Sequence, residues 1–165
     1  DTLALAEAVG HSGRVIAIDV QAEALAQTSL LLTEKGYVVH PWQTDRKVPE
    51  QPGIYLIQGC HSRLSEALSS TPRAVIANLG YLPGGNRQLI TQTDTTLAAL
   101  SQALDLLSRG GRLAVVLYPG HDGGAEEAQE VTRLFRQLNG ETWQVLELSV
   151  ANQSFAPRLL LAERR

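Results

Sequence analysis

The amino-acid sequence predicts an α/β fold, a doubly wound and mostly parallel sheet that closes with an antiparallel strand pair. Three observations carry this. Short continuous apolar runs at 15–18, 54–57, 74–77 and 113–117 have the character of strands buried in a parallel sheet. Segments of helical periodicity lie between them. The last two β-type runs, 142–150 and 158–163, follow one another with no helix between. At 165 residues, with 44% hydrophobic and 19% charged, the chain can bury a core as one domain spanning 1–165 and carries no sign of disorder.

The elements follow in order. A helix is expected over 2–9, where Leu3, Leu5, Ala6 and Val9 fall at helical spacing and Gly10 stops the run. Residues 14–19 form a strand that ends in Asp19. Residues 22–35 form a helix with Ala24, Leu25, Thr28, Leu31 and Leu32 on one side and Gly36 as its stop. The stretch 37–52 is irregular, with Pro41, Pro49 and Pro52, and reads as a loop with a short strand near Val38. The strand 54–57 leads into Gly59-Cys60-His61-Ser62, a short helix near 64–68, and then the strand 74–77 that runs into Asn78. A helix over 94–107 is expected to be capped by Thr93 or Asp94 and stopped by Gly110-Gly111. Strand 112–118 ends in Pro119-Gly120-His121-Asp122-Gly123-Gly124, and a helix over 126–138 precedes the closing pair. Nicotinamide-binding domains usually continue with a further βα unit, whereas Rossmann-like methyltransferases end in such a pair. The closing pair therefore favours methyl transfer.

Composition excludes several classes. A formal net charge of -3 gives no electrostatic signature of nucleic-acid binding, and Arg158, Arg164 and Arg165 are a thin candidate for a basic patch. A single cysteine, Cys60, excludes an internal disulfide and suits a reducing compartment. No apolar stretch is long enough to span a membrane and no signal peptide is visible, so a cytoplasmic protein is expected. The chain starts at Asp1 and holds no methionine, which suggests a start inside a longer gene product. A metal is not expected, because His11, His40, His61 and His121 lack ligand spacing. A P-loop lysine and a Gly-x-Ser-x-Gly elbow are both missing.

The residues that carry chemistry lie at the carboxyl ends of strands, where open α/β sheets bind ligands. Asp19 can accept both hydroxyls of an adenosine ribose, or it can serve as a helix cap. Gln21 can add a cofactor contact or face solvent. Gly59-Cys60-His61-Ser62 occupies the position beside an adenine ring; His61 can stack there or be a satisfied loop histidine, and Cys60 fits a small packing residue better than a nucleophile. Asn78-Leu79-Gly80-Tyr81-Leu82-Pro83-Gly84-Gly85 offers an amide oxygen, backbone carbonyls and one aromatic face, enough to hold a planar substrate and orient an amino group on it. The bland reading is a turn in which glycine and proline serve only the backbone. His121 can face Asn78 across the sheet edge and take a proton, or its loop can merely turn the chain.

Asp1-Thr2-Leu3, Ile18-Asp19-Val20-Gln21, the octapeptide from Asn78 to Gly85, Thr95-Thr96, Gly110-Gly111 and Tyr118-Pro119-Gly120-His121 resemble the YtqB-like rRNA methylase family over nearly the whole chain. That family includes S-adenosylmethionine-dependent enzymes that methylate the aminomethyl group on wobble uridine of tRNA. The resemblance implies S-adenosyl-L-methionine as cofactor and an RNA partner, tRNA in the first place. It implies cofactor binding by Asp19, Gln21, Cys60, His61, Asn78 and Leu79, and a methyl-transfer centre of Asn78, Tyr81 and His121. A homodimer is the oligomeric state considered, with no membrane partner. In that family a central strand and a Gly-rich loop precede the point where this chain begins, between the strands that hold Ile16 and Val75, and here they are expected to be absent. Two other readings stay open: a non-catalytic remnant acting as an interaction module, and a nicotinamide-dependent oxidoreductase.

Overall fold

The structure, a computed structural model, describes residues 1–78, 92–120, 123–153 and 155–165. They fall into two compact units, residues 1–70 and 71–165.

In the first unit, α1 (Thr2–Val9) precedes β1 (Arg14–Asp19), α2 (Ala22–Glu34), β2 (Val39–Trp42) and β3 (Gly53–Gln58). A 3-10 turn (His61–Arg63) and the single-turn α3 (Leu64–Ala67) follow. The sheet has the order β1-β3-β2 and is parallel throughout, with Asp19 in register with Gln58 and Trp42 with Ile57. Strand pleating sends alternate residues of β3 to opposite faces. Ile54 and Leu56 pack in a cluster with Ala6 of α1, Val15 of β1 and Leu32 of α2. Tyr55 and Ile57 pack with Val48 and Ala67 on the other side. That double burial explains the unbroken apolar run of β3. The irregular stretch 37–52 holds a full strand, β2, with Pro41 inside it. Proline is tolerated because β2 is the outer strand and one side of it needs no ladder donor.

The second unit holds β4 (Ala74–Asn78), α4 (Thr93–Leu106), β5 (Arg112–Leu117), α5 (Gly124–Arg136), β6 (Trp143–Leu148) and β7 (Arg158–Arg164). Its sheet has the order β4-β5-β7-β6. β4 and β5 are parallel; β7 runs antiparallel to both β5 and β6, as the closing pair predicts. Leu113, Val115 and Leu117 of β5 and Leu160 and Ala162 of β7 are buried, and α5 packs on both strands with Val131 and Phe135 inside. α4 packs on α5 and buries Ala99, Leu100, Ala103 and Leu104.

Two expectations need correcting. The apolar run 74–77 is not a fully buried strand: β4 alternates exposed and half-buried residues, and Ile76 is 42% exposed. Likewise only Val15 is buried in β1. Each is the outermost strand of its sheet, so neighbours cover it on one side only. The cap of α4 also differs. Gln92 occupies the N-cap position with no side-chain capping bond, and Thr95 Oγ1 instead donates to Gln92 O at 2.9 Å.

Candidate active site

In the first unit the ends of β1 and β3 bring one set of predicted residues together. Asp19 closes β1, and its Oδ1 accepts a hydrogen bond from the Gln21 backbone N–H at 2.8 Å. This turns the chain into α2, for which Gln21 is the N-cap residue. Asp19 is thus not the N-cap of α2: its carboxylate closes a turn before the helix, and Gln21 holds the cap position with no side-chain capping bond. Gln21 itself is only 8% exposed, so it is not a solvated first-turn residue. The Gly59 N–H donates to Asp19 O at 3.0 Å, and Gln58 Nε2 reaches Val20 O at 3.4 Å. These bonds fix the loop after β3 against the loop after β1. A Cβ on Gly59 would stand 2.8 Å from Thr44 Cγ2, so the chain passes closely there. Cys60 is the N-cap residue of the 3-10 turn, its Sγ accepts from Ser62 Oγ at 3.1 Å, and it is half-buried. His61 opens that turn and is half-buried beside it.

Arg63, next in the turn, is committed. Its Nε donates to both Glu66 oxygens at 3.0 Å. That hydrogen bond, with the Coulombic attraction, raises the Arg63 pKa, and the same hydrogen bond lowers that of Glu66.

In the second unit Asn78 ends β4 and is exposed. Its Oδ1 accepts a hydrogen bond from the Tyr118 hydroxyl at 3.1 Å. The parallel register explains the meeting. Asn78 lies opposite Val116, and Tyr118 stands two residues further along, on the same side of the pleat. Tyr118 is a site residue that motif reading missed. The signal was available in the adjacency of two parallel strands and in the two-residue offset. Leu79, Tyr81 and His121 lie outside the described residues.

The arginines proposed as a basic patch serve the fold. Arg164 Nη1 donates to Leu107 O at 2.6 Å and to Asp105 O at 3.2 Å, at the C-terminal end of α4. Arg158 pairs with Glu147 at 3.5 Å, and Arg165 donates to Gly140 O at 3.2 Å. Among the described residues no group of three or more His, Cys, Asp and Glu is arranged to hold a metal ion. No described helix is long and apolar enough to cross a membrane.

Crossover strands that end in polar residues, closed by an antiparallel pair, are the layout of Rossmann-like methyltransferases. That class narrows to a family: residues 15–164 match the one described as "Putative rRNA methylase", and the chain belongs to it. It is 36% identical over 174 residues to the chloroplastic tRNA (mnm(5)s(2)U34)-methyltransferase of Arabidopsis thaliana. The match takes in 100% of this chain but 59% of that relative, so the chain spans well under two thirds of its length. Among solved structures, the "putative rRNA-methylase" of Clostridium thermocellum superposes with a TM-score of 0.84 at 32% identity, over 98% of this chain and 80% of the other. A "putative methyltransferase" of Streptococcus mutans, in complex with SAH, superposes with a TM-score of 0.76 at 30% identity, over 92% and 76%.

Proposed function

We propose that this chain is a single methyltransferase domain that transfers a methyl group from S-adenosylmethionine to RNA, with the aminomethyl group of a tRNA wobble uridine as acceptor. The observation that carries the reading is the hydrogen bond from Tyr118 to the Asn78 amide oxygen at the end of β4. The bond from Tyr118 holds the amide in one orientation at the strand end, and an amide oxygen is the kind of acceptor that orients an amine N–H. The relatives support the reading: the Arabidopsis thaliana protein, named as a tRNA methyltransferase, supports the acceptor class, and the Streptococcus mutans structure in complex with SAH supports the cofactor.

The donor set at β1 and β3 fits an adenosine. Asp19 is half-buried, and its Oδ1 is tied to the Gln21 N–H, so the carboxylate is presented in a fixed plane for ribose hydroxyls. Cys60 and His61 border the adenine, and Gln21 backs the ribose end. When bound, the sulfonium supplies an electrophilic methyl whose S–C bond breaks toward sulfur as the N–C bond forms, leaving the thioether. Asn78 and the Leu79 carbonyl accept N–H bonds and aim the neutral amine's lone pair. Tyr81 stacks on the pyrimidine, as aromatic side chains do with splayed RNA bases. His121 takes the proton released from the methylated amine. A homodimer belongs to the same reading, supported by the exposed apolar outer strand β6.

Calorimetric titration of S-adenosylhomocysteine, paired with tritiated methyl transfer to unfractionated tRNA, tests the assignment. Asp19→Ala should weaken binding by about tenfold or more, on a scale of 1.4 kcal/mol per decade. Asn78→Ala should lower turnover by about a hundredfold with nearly unchanged affinity, the size expected for losing one preorganised polar group. Equal loss of both quantities in Asn78→Ala would remove it from the transfer step. No binding by the folded wild type would overturn the methyltransferase reading and favour an interaction module.

A further inference from the structure

The first unit carries cations of two kinds. Arg14 donates to Pro49 O at 2.5 Å and to Ser69 Oγ at 2.9 Å, and Arg63 is held by Glu66. Both serve the fold. Arg46 and Lys47 are exposed, and among the described residues neither joins an ion pair, not even with the nearby Asp45 and Glu50. The Arg46 guanidinium instead lies over the Trp42 ring, its Cζ 4.4 Å from the ring centroid.

The turn that presents these two cations is anchored at both ends. Trp42 ends β2 opposite Ile57, so residues 43–47 leave the sheet at the same edge as Asp19 and Gln58. Trp42 packs edge-on against Tyr55, with ring centroids 5.5 Å apart, and its Nε1 donates to Arg46 O at 3.1 Å, which closes the turn. Beyond Lys47, Val48 is fully buried and its N–H donates to Ala67 O at 2.9 Å. Thr44 lies close to Gly59, the start of the loop set beside the adenine in the proposed function.

Cations fixed on such a turn lose little freedom when they bind. A guanidinium over an indole face keeps its N–H edge for a phosphate, and the neighbouring ammonium adds a point charge. Asp45 and Glu50 offset the long-range field of the pair, so the contact is short-ranged and takes one or two phosphates rather than a broad groove. We propose that Trp42, Arg46 and Lys47 form an RNA contact at the carboxyl edge of the first sheet, with Arg46 and Lys47 holding backbone phosphates beside the cofactor loop. This rests on the RNA-acceptor reading, and it gives an acidic chain a local hold on RNA.

Filter binding of radiolabelled unfractionated tRNA to the whole protein, across about 50–200 mM salt, tests it. Lys47→Ala leaves the Trp42–Arg46 packing in place and should make the plot of log affinity against log salt shallower by about 1; Arg46→Ala/Lys47→Ala should change it by about 2. At about 0.1 M salt each lost phosphate contact should weaken binding about five- to eightfold. Affinity for S-adenosylhomocysteine should stay within about twofold in both variants, since Asp19 and Gln21 are untouched. Lys35→Ala, which removes a cation at the far end of α2, should keep the wild-type slope. If the wild type binds tRNA and Lys47→Ala and the double variant keep its slope, the contact is overturned while the methyltransferase reading stands. An equal change in Lys35→Ala would reduce the effect to net charge and overturn it too. A wild type that binds S-adenosylhomocysteine but no tRNA would overturn both the contact and the RNA acceptor.

Discussion

Asn78 and Tyr118 show how much a single offset in register decides. Both side chains rise from the same face of a parallel pair, and the hydroxyl reaches the amide because Tyr118 lies two residues beyond the residue opposite Asn78. Removing that hydroxyl should cost about 0.5–1.5 kcal/mol of orientation, so Tyr118→Phe is expected to slow methyl transfer about two- to twelvefold. Stability should hardly move, because Tyr118 is 40% exposed. Steady-state kinetics beside thermal denaturation checks both halves, and a full-rate phenylalanine variant would show that the bond from Tyr118 does not serve the transfer. Motif reading singled out Asp19 and Asn78 because a polar residue type and a strand end coincide there. It missed Tyr118 because that role exists only once β4 and β5 are laid side by side.

Element boundaries were largely legible. Apolar runs bounded by Gly and polar residues gave β1, β3 and β5 to within a residue or two, and the paired runs near the C-terminus form β6 and β7. β2 was blurred by Pro41, and the exposure of β4 could not be read, since an apolar run is the same string at a sheet edge as in its centre. α4 ends at Leu106 with Leu107 as its C-cap residue, and the turn that follows it requires its glycines. Gly110 has φ 72°, and a Cβ on Gly111 would stand 2.7 Å from Ser108 O and 2.8 Å from Leu107 Cγ. One of those is backbone, which cannot swing aside. Gly111→Ala is therefore expected to destabilise the protein by about 1–3 kcal/mol. Gly140→Ala is the control, because nothing lies within 4 Å of that position. Urea denaturation measures it: the midpoint should drop for Gly111→Ala with an unchanged slope, and stay put for Gly140→Ala.

At the scale of the whole molecule, β6 is the element whose surroundings are hardest to explain for an isolated chain. It is the outer strand of its sheet, and Leu146 and Leu148 are 59% and 57% exposed. Its residues, Trp143-Gln144-Val145-Leu146-Glu147-Leu148, include no proline, glycine or lysine, the usual devices that keep a sheet edge from pairing. Its one charge, Glu147, is occupied by Arg136 at 3.0 Å and Arg158 at 3.5 Å. An antiparallel pairing of β6 with a second copy, with the two-fold axis at Leu146, sets Glu147 opposite Val145. No like charges then meet, and both ladders of backbone groups are satisfied. The homodimer of the proposed function is thus expected to form through this edge. Light scattering should give the mass of two chains for the wild type and of one chain for Leu146→Lys, with little change in the unfolding midpoint of the variant at low concentration because the residue is exposed. A wild type that stays monomeric at tens of micromolar, or a lysine variant that still dimerises, would place the interface elsewhere or remove it.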